Sequence, residues 1–144
     1  MKIIHRITVL EFLTTLRTFP FLSRLVDTQF GPEGTDQKGS IRLYRGSVQG
    51  LAYYEYQLIH PLMCKKDKLT LKRDPANMYD MYAIEVWHGS FKIGYLPRSE
   101  NKVLAPLMDA GKQLITEIQR VDKDSRNTRD GVLVDVRGDA DYLV

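Results

Sequence analysis

The sequence predicts a mainly β protein, a small antiparallel barrel or sandwich that follows a helical N-terminal segment. Three observations predict this class: apolar and polar residues alternate in several short runs, turn residues separate these runs, and only one later stretch has helical spacing. The chain has 144 residues, 43% of them hydrophobic and 27% charged. This composition is typical of a globular protein, and the length is sufficient for one domain with a hydrophobic core.

The N-terminal part is predicted to be helical over residues 7–26, with a break or kink at Pro20. Its apolar residues recur at a spacing of three and four on one side: Val9, Phe12, Leu13 and Leu16. Residues 30–40 are rich in Gly, Pro and polar side chains, which is typical of a linker. We therefore expect an extension and linker over residues 1–40 and a β-barrel domain over residues 41–144.

The predicted strands follow runs in which apolar residues alternate with polar ones. These runs are residues 41–45, 68–72, 84–87 and 132–137. We expect residues 47–56 to continue the first strand. Turn signals separate the runs at Asp74-Pro75, His88-Gly89-Ser90 and Asp130-Gly131. Short strands at this spacing predict antiparallel pairing.

One helix is predicted between the strands. It is expected to begin at Ser99 or Asn101 as N-cap and to end at Gly111. Pro106 predicts that this helix is short or bent. Its expected buried stripe consists of Val103, Leu104, Leu107 and Met108.

The charge is segregated along the chain, whose net value is +3. Between residues 38 and 73 there are eight basic residues and two acidic ones, a local excess of six positive charges. Such a patch favours a polyanionic partner, although a solvated charged face is the plainer explanation. The single cysteine, Cys64, excludes an intrachain disulfide and favours an intracellular location. No run approaches the ~20 apolar residues of a membrane span, so we expect no membrane partner.

Catalytic chemistry is weakly represented. Asp74, Asp80 and Glu85 have a spacing that a metal-dependent nuclease could use, but Trp87 occupies the position where such an enzyme would carry a lysine. One His and Cys pair, four residues apart, lacks the second pair of a structural zinc site. We therefore expect no catalytic residue, metal or cofactor, and nuclease activity is the weakest alternative.

Three clusters combine tyrosines with cations, over residues 50–54, 71–86 and 93–98. A tyrosine ring can stack on a nucleobase, at about 1–3 kcal/mol per base, while Lys or Arg holds the phosphates. Tyrosine also favours half-buried strands, so the rings alone do not distinguish binding from packing.

In order and spacing the three clusters resemble the HIRAN domain family. The resemblance covers about half of the chain, and its specific parts are the runs 73–86 and 94–98. The residues in register are Leu71, Arg73, Asp74, Pro75, Asn77, Tyr79, Asp80, Ala83, Ile84, Val86, Gly94, Tyr95, Leu96, Pro97 and Arg98.

The resemblance implies an OB-like or SH3-like barrel of about six strands with one or two helices. It also implies a non-enzymatic module that holds the free 3′-hydroxyl end of single-stranded DNA, serving DNA repair, replication-fork processing or a mobile element. The implied DNA-binding residues are Tyr53, Tyr54, Lys72, Arg73, Asn77, Tyr79, Asp80, Tyr95 and Arg98.

In such a pocket the carboxylate of Asp80 would accept a hydrogen bond from the terminal hydroxyl and repel the phosphate of a strand that continued. Ala52 stands where the best-understood member has an arginine, and Met78 replaces the usual proline. Residues after Gly111 follow the family only loosely. A second hypothesis is a protein-interaction module whose N-terminal extension partners a helicase or nuclease.

Overall fold

The computed structural model describes residues 39–143, which contain six strands and two short α-helices. The strands are β1 (Ser40–Ser47), β2 (Lys68–Arg73), β3 (Ile84–His88), β4 (Phe91–Tyr95), β5 (Ile115–Val121) and β6 (Val132–Asp139). The α-helices are α1 (Tyr56–Ile59) and α2 (Arg98–Asp109), and 3₁₀ turns occupy Leu51–Tyr53, His60–Leu62 and Ala140–Leu143. The predicted N-terminal helix and its apolar stripe lie outside the described residues, and the boundary near residue 41 stays a prediction.

The strands form one antiparallel sheet in the order β1-β6-β5-β2-β3-β4. Its two ends meet just after β1, where Gln49 and Tyr95 exchange backbone hydrogen bonds of 2.8 and 2.9 Å. The sheet therefore curls into a small barrel, and the prediction of a mainly β fold with about six strands is confirmed. No helix in residues 39–143 has the length and apolar character needed to cross a membrane.

The interior of the barrel is filled by the apolar residues of the alternating runs. In β2, Leu69 is buried whereas its neighbours Lys68 and Thr70 are exposed. The alternation in β3 and β6 places their apolar side chains inside as well: Ile84, Val86, Val132, Val134 and Val136. The period of two therefore located the core of these strands correctly.

The expectation that residues 47–56 continue as strand is wrong. β1 ends at Ser47, and Gly50 takes a left-handed conformation (φ 78°) that starts a 3₁₀ turn. The Glu55 amide donates to the Lys92 carbonyl at 3.0 Å, which ties the irregular segment to β4. Apolar content in this segment therefore reflects burial of Leu51 beneath a turn and not pairing in a strand.

Helix α2 differs from its prediction in two respects. It begins at Arg98 after Pro97, so neither Ser99 nor Asn101 is its N-cap. Val103 is 61% exposed, whereas Leu104 is buried as predicted, together with Asn101 and Ala105, and Leu107 and Met108 are half-buried. The predicted C-terminal signal is confirmed, since Gly111 has a φ of 78° and its amide donates to the Met108 carbonyl at 2.9 Å.

Position 94 in β4 requires glycine, because a neighbouring backbone segment leaves no space for a side chain. A Cβ atom at this position would press on the Gln49 carbonyl oxygen and lie 2.9 Å from a methyl group of Val48. Glycine therefore allows the backbone at Gln49 to approach β4 closely enough for the bridge that closes the barrel.

Candidate functional site

A cleft of about 510 Å³ opens beside the bridge that closes the barrel. Its walls come from this bridge, from the loop between β2 and β3 (residues 74–83) and from the start of α2. The lining residues are Gln49, Tyr54, Asn77, Tyr79, Asp80, Ala83, Tyr95, Leu96, Pro97, Arg98 and Asn101.

Asn77 shapes the loop between β2 and β3. Its side-chain oxygen accepts hydrogen bonds from the amides of Tyr79 and Asp80, at 3.0 and 3.2 Å. Its amide nitrogen donates to Asp74 Oδ2 at 3.0 Å, and this bond, with one from the Tyr95 hydroxyl, lowers the pKa of Asp74. Short polar side chains that bond to nearby backbone favour such turns, so the Asp-Pro-x-Asn sequence dictates the loop locally.

The carboxylate of Asp80 is fixed between the loop and helix α2. Its Oδ1 accepts from the Tyr82 amide at 2.9 Å, and its Oδ2 accepts from Asn101 Nδ2 at 2.8 Å. Asn101 is only 2% exposed, and within residues 39–143 its side-chain oxygen has no hydrogen-bond partner. Each carboxylate oxygen can accept more than one hydrogen bond, so Asp80 keeps acceptor capacity for a ligand in the cleft.

Tyr54 and Tyr95 form an aromatic wall with a lysine beside it. Their ring centroids are 5.6 Å apart at an angle of 63°, and Lys92 Nζ lies 4.5 Å from the first centroid and 4.1 Å from the second. Lys92 also bonds the Tyr95 hydroxyl at 2.6 Å and Glu85 Oε1 at 2.7 Å. These contacts hold both rings in place at the edge of the cleft.

The surroundings of this wall keep Tyr95 neutral and Lys92 positively charged. Burial raises the pKa of Tyr95, and the bond that its hydroxyl donates to Asp74 acts in the same direction, so the phenol is neutral at pH 7. Burial alone would lower the pKa of Lys92, but its bonds to Glu85 and Tyr95 outweigh that effect and the pKa is raised. Lys92 therefore remains a cation beside the two rings.

Two further side chains are available at the surface of the cleft. Tyr79 is 84% exposed, although its backbone is fixed by Asn77. Arg98 is exposed at the start of α2, and its guanidinium has no hydrogen-bond or ion-pair partner among the described residues. An exposed ring and an unpaired cation beside a cleft are groups that a ligand can engage at little cost.

Six of the nine residues predicted to bind DNA line the cleft: Tyr54, Asn77, Tyr79, Asp80, Tyr95 and Arg98. The other three, Tyr53, Lys72 and Arg73, do not line it. Tyr53 is 85% exposed on the 3₁₀ turn after β1, and Lys72 Nζ lies 3.8 Å from the ring centroid of Trp87.

Arg73 has internal partners in the structure. Its guanidinium bonds Asp109 at 2.9 Å and the carbonyl oxygens of Ala83 and Met81 at 2.7 and 3.1 Å. These bonds join the end of β2, the loop and the end of α2, and the Arg73 side chain is 16% exposed. Whether Arg73 also contacts phosphate stays a prediction.

Sequence reasoning missed Gln49, Lys92 and Asn101 as contributors to this region. Gln49 carries no local signal, because the closure of the barrel brings it to the cleft, and Lys92 is part of the cleft wall only through its contacts with Tyr54 and Tyr95. Asn101 did carry a signal, since it is a polar residue on the buried stripe of a helix and such a residue needs a partner inside the protein.

The carboxylates of the nuclease hypothesis do not converge on one point. Asp74 and Glu85 both approach the Tyr95 hydroxyl, at 3.0 and 3.5 Å, whereas Asp80 bonds Asn101. Within residues 39–143 no group of three His, Cys, Asp or Glu side chains is placed to hold a metal ion. This arrangement gives the nuclease hypothesis no support.

The closed six-stranded antiparallel barrel, with an aromatic and acidic cleft beside its closure, belongs to the class of small OB-like modules. Within that class, the chain belongs to the HIRAN domain family, whose model matches residues 41–137.

Two solved structures support this assignment. A protein from Lactobacillus plantarum is 25% identical with a TM-score of 0.58, over 69% of this chain and 96% of its own. The HIRAN domain of human HLTF is 27% identical with a TM-score of 0.55, over 73% of this chain and 84% of its own. No curated protein matches the chain.

Proposed function

We propose that this chain is a DNA-binding module that holds the free 3′-hydroxyl end of single-stranded DNA in the cleft. Membership of the HIRAN family supports DNA binding. The observation that carries the end preference is the position of the Asp80 carboxylate, which lines a cleft together with exposed aromatic rings and Arg98, whose guanidinium has no partner within residues 39–143. The module is non-enzymatic and intracellular, and it serves DNA repair, replication-fork processing or a mobile element.

Asp80 provides the discrimination between strand ends. A terminal hydroxyl donates a hydrogen bond to the carboxylate, and hydrogen bonds to a charged acceptor contribute about 1.5–3 kcal/mol. A phosphate in the same place is repelled, because two like charges 4 Å apart interact by about 1 kcal/mol in water and about 4 kcal/mol near a protein surface. The cleft therefore prefers a 3′-hydroxyl to a 3′-phosphate by roughly tenfold or more.

The remaining groups supply affinity without sequence preference. Tyr79 and Tyr54 offer ring faces on which the terminal bases stack, and every base has a face that can do so. Arg98 holds a backbone phosphate, so affinity falls as salt concentration rises.

The test is a fluorescence-anisotropy titration of the full chain with single strands that end in a 3′-hydroxyl, end in a 3′-phosphate or are circular. Each titration is carried out at two salt concentrations. We expect tight binding of the 3′-hydroxyl strand alone, with weaker binding of all three at high salt. Equal affinity for the three strands would contradict end recognition but would leave general DNA binding intact.

Asp80→Asn removes the negative charge of residue 80 while the shape of the loop is kept. The new amide can accept a bond from the Tyr82 backbone with its oxygen, and its nitrogen can donate to the Asn101 oxygen once the Asn101 amide turns over, so the loop is retained. We expect this variant to lose the preference for a 3′-hydroxyl over a 3′-phosphate. Asp141→Asn, which removes an equal charge from an exposed position in the C-terminal 3₁₀ turn, is the matched control.

Partnership with a helicase or nuclease through residues 1–40 is a separate proposal, and of these residues the structure describes only 39 and 40. Its test is co-purification of a partner with the full chain after nuclease treatment, which removes associations bridged by DNA.

A further inference from the structure

A second group of aromatic and cationic side chains lies on the outer face of strands β2, β3 and β4. Glu85 of β3 pairs with Lys72 of β2 on one side and with Tyr95 of β4 on the other. Trp87, two residues further along β3, pairs with Lys92. Paired residues point to the same face of a sheet, so all five side chains share the face opposite the core.

Direct contacts connect these side chains from Trp87 to the cleft. Lys72 Nζ lies 3.8 Å from the Trp87 ring centroid, and the indole nitrogen donates to Glu85 Oε2 at 2.9 Å. Glu85 Oε1 accepts from Lys92, which lies over the rings of Tyr54 and Tyr95 in the cleft wall. We call Lys72, Glu85, Trp87 and Lys92 the outer strip, which runs without interruption to the cleft.

The acidic member of the outer strip does not oppose an anionic ligand strongly. Both oxygens of Glu85 are engaged, one by Lys92 and one by the Trp87 indole. Lys72 is exposed, and so is Lys68 on the same face of β2. The strip and its surroundings therefore present cations and one large ring beside each other, the combination that single-stranded nucleic acid requires.

We propose that the outer strip is a second contact for single-stranded DNA, in which Trp87 stacks on a base upstream of the strand end and Lys72 binds a phosphate beside it. The inference rests on the proposed function, because the strand reaches the strip by leaving the cleft past Tyr54 and Tyr95. Trp87 lies about 7 Å along β3 from the residue that pairs with Tyr95, so a strand held in the cleft reaches it within a few nucleotides.

Trp87 is the only tryptophan in the chain, so its fluorescence reports on the strip directly. The full chain is titrated with 3′-hydroxyl oligothymidylates, from a dinucleotide to a dodecanucleotide. Anisotropy, or competition for the shortest strands, measures binding, and tryptophan emission measures stacking. We expect the dinucleotide to bind without quenching the emission, and longer strands to quench it once a threshold length is passed.

Substitutions separate the strip from the cleft. Trp87→Ala is expected to lower the affinity for the dodecanucleotide by at least about fivefold, since one stacked base is lost. The affinity for the dinucleotide should stay unchanged. Lys72→Ala is expected to weaken the binding of long strands. It should also make the slope of the logarithm of the binding constant against the logarithm of salt concentration shallower by about 0.7. Its matched control is Lys112→Ala, which removes the same charge from a similar contact, 5.0 Å from the ring centroid of Tyr142.

Two results would overturn the inference. If the dodecanucleotide binds with a preference for the 3′-hydroxyl while tryptophan emission and Trp87→Ala affinity stay unchanged, the strip plays no part and the proposed function stands. If no oligonucleotide binds at any length, the proposed function fails and the strip fails with it.

Discussion

Replacing Gly94 by alanine tests whether one close backbone approach holds the barrel closed. The new methyl group would occupy space now taken by the Gln49 carbonyl and a methyl group of Val48. Val48 is fully buried, so it has little room to move. The backbone at Gln49 must therefore shift away from β4, and the two hydrogen bonds that it exchanges with Tyr95 are weakened or lost.

The expected loss of stability follows from these contacts. Two backbone hydrogen bonds contribute about 0.5–1.5 kcal/mol each, and an extra methyl group in a packed interior costs about 1–3 kcal/mol. The lower entropy of alanine in the unfolded chain returns about 0.4–1 kcal/mol. We expect the free energy of unfolding to fall by about 1–6 kcal/mol, which for a domain of this size lowers Tm by at least about 3 °C.

Urea denaturation followed by circular dichroism measures this change in the full chain. Gly111→Asn is the control, because Gly111 is exposed, has open space where a Cβ would lie, and has a φ of 78° that asparagine tolerates. The control is expected to change stability by less than about 1 kcal/mol. If Gly94→Ala is no less stable than this control, the close approach does not hold the barrel closed and our explanation of Gly94 is wrong.

Three further predictions concern the loop, the cleft and β1. Arg73→Lys should destabilise the domain by about 2–3 kcal/mol in urea, because lysine cannot reproduce the fork to Asp109 and two carbonyls; a shallower salt slope of DNA binding at unchanged stability would instead favour a phosphate contact. Exchanging the partners Asp80 and Asn101 should lose end preference in anisotropy, because their hydrogen bond survives while the carboxylate moves, and should also lower stability, because position 101 is 2% exposed and a buried carboxylate is costly; retained preference would refute its placement. Burial, then Glu100, raises the pKa of Tyr44 to about 12, above an unfolded value near 10, so stability present below pH 10 should fall by about 1–2 kcal/mol towards pH 12, because solvent screens this partly exposed group. Tyr44→Phe should flatten this decline in alkaline denaturation, and equal declines would contradict the role of Tyr44.

The alternating runs predicted the strands that contain the core because one face of each strand is buried. The alternation of apolar and polar residues did not predict the structure correctly where closure of the barrel determines the backbone conformation. Residues 47–56 are an example, because Gly50 turns the chain out of the extended conformation. The alternation also gave no separate signal for β4, a five-residue strand interrupted by Gly94. Short strands whose form depends on a distant backbone segment cannot be located from their own residues.

The candidate site was predictable where one stretch of chain builds it. Asn77, Tyr79 and Asp80 belong to a loop whose hydrogen bonds are largely local, and the resemblance to the HIRAN family singled these residues out. Lys92 and Asn101 come from other elements, and only the three-dimensional structure shows that they contact Tyr95 and Asp80. Arg73 shows that a basic residue in a binding motif can also join secondary-structure elements, and its phosphate contact stays a prediction.

The bridge between Gln49 and Tyr95 gives the barrel a seam, and the cleft lies across that seam, since both residues line it. A ligand bound there contacts the strands on both sides of the seam and therefore opposes their separation. A ligand at a free concentration one hundred times its dissociation constant would add about 2.7 kcal/mol to the stability of the folded domain. Amide hydrogens at the seam should then exchange more slowly in the loaded protein, so the ligand would stabilise the region where an isolated bridge closes the barrel.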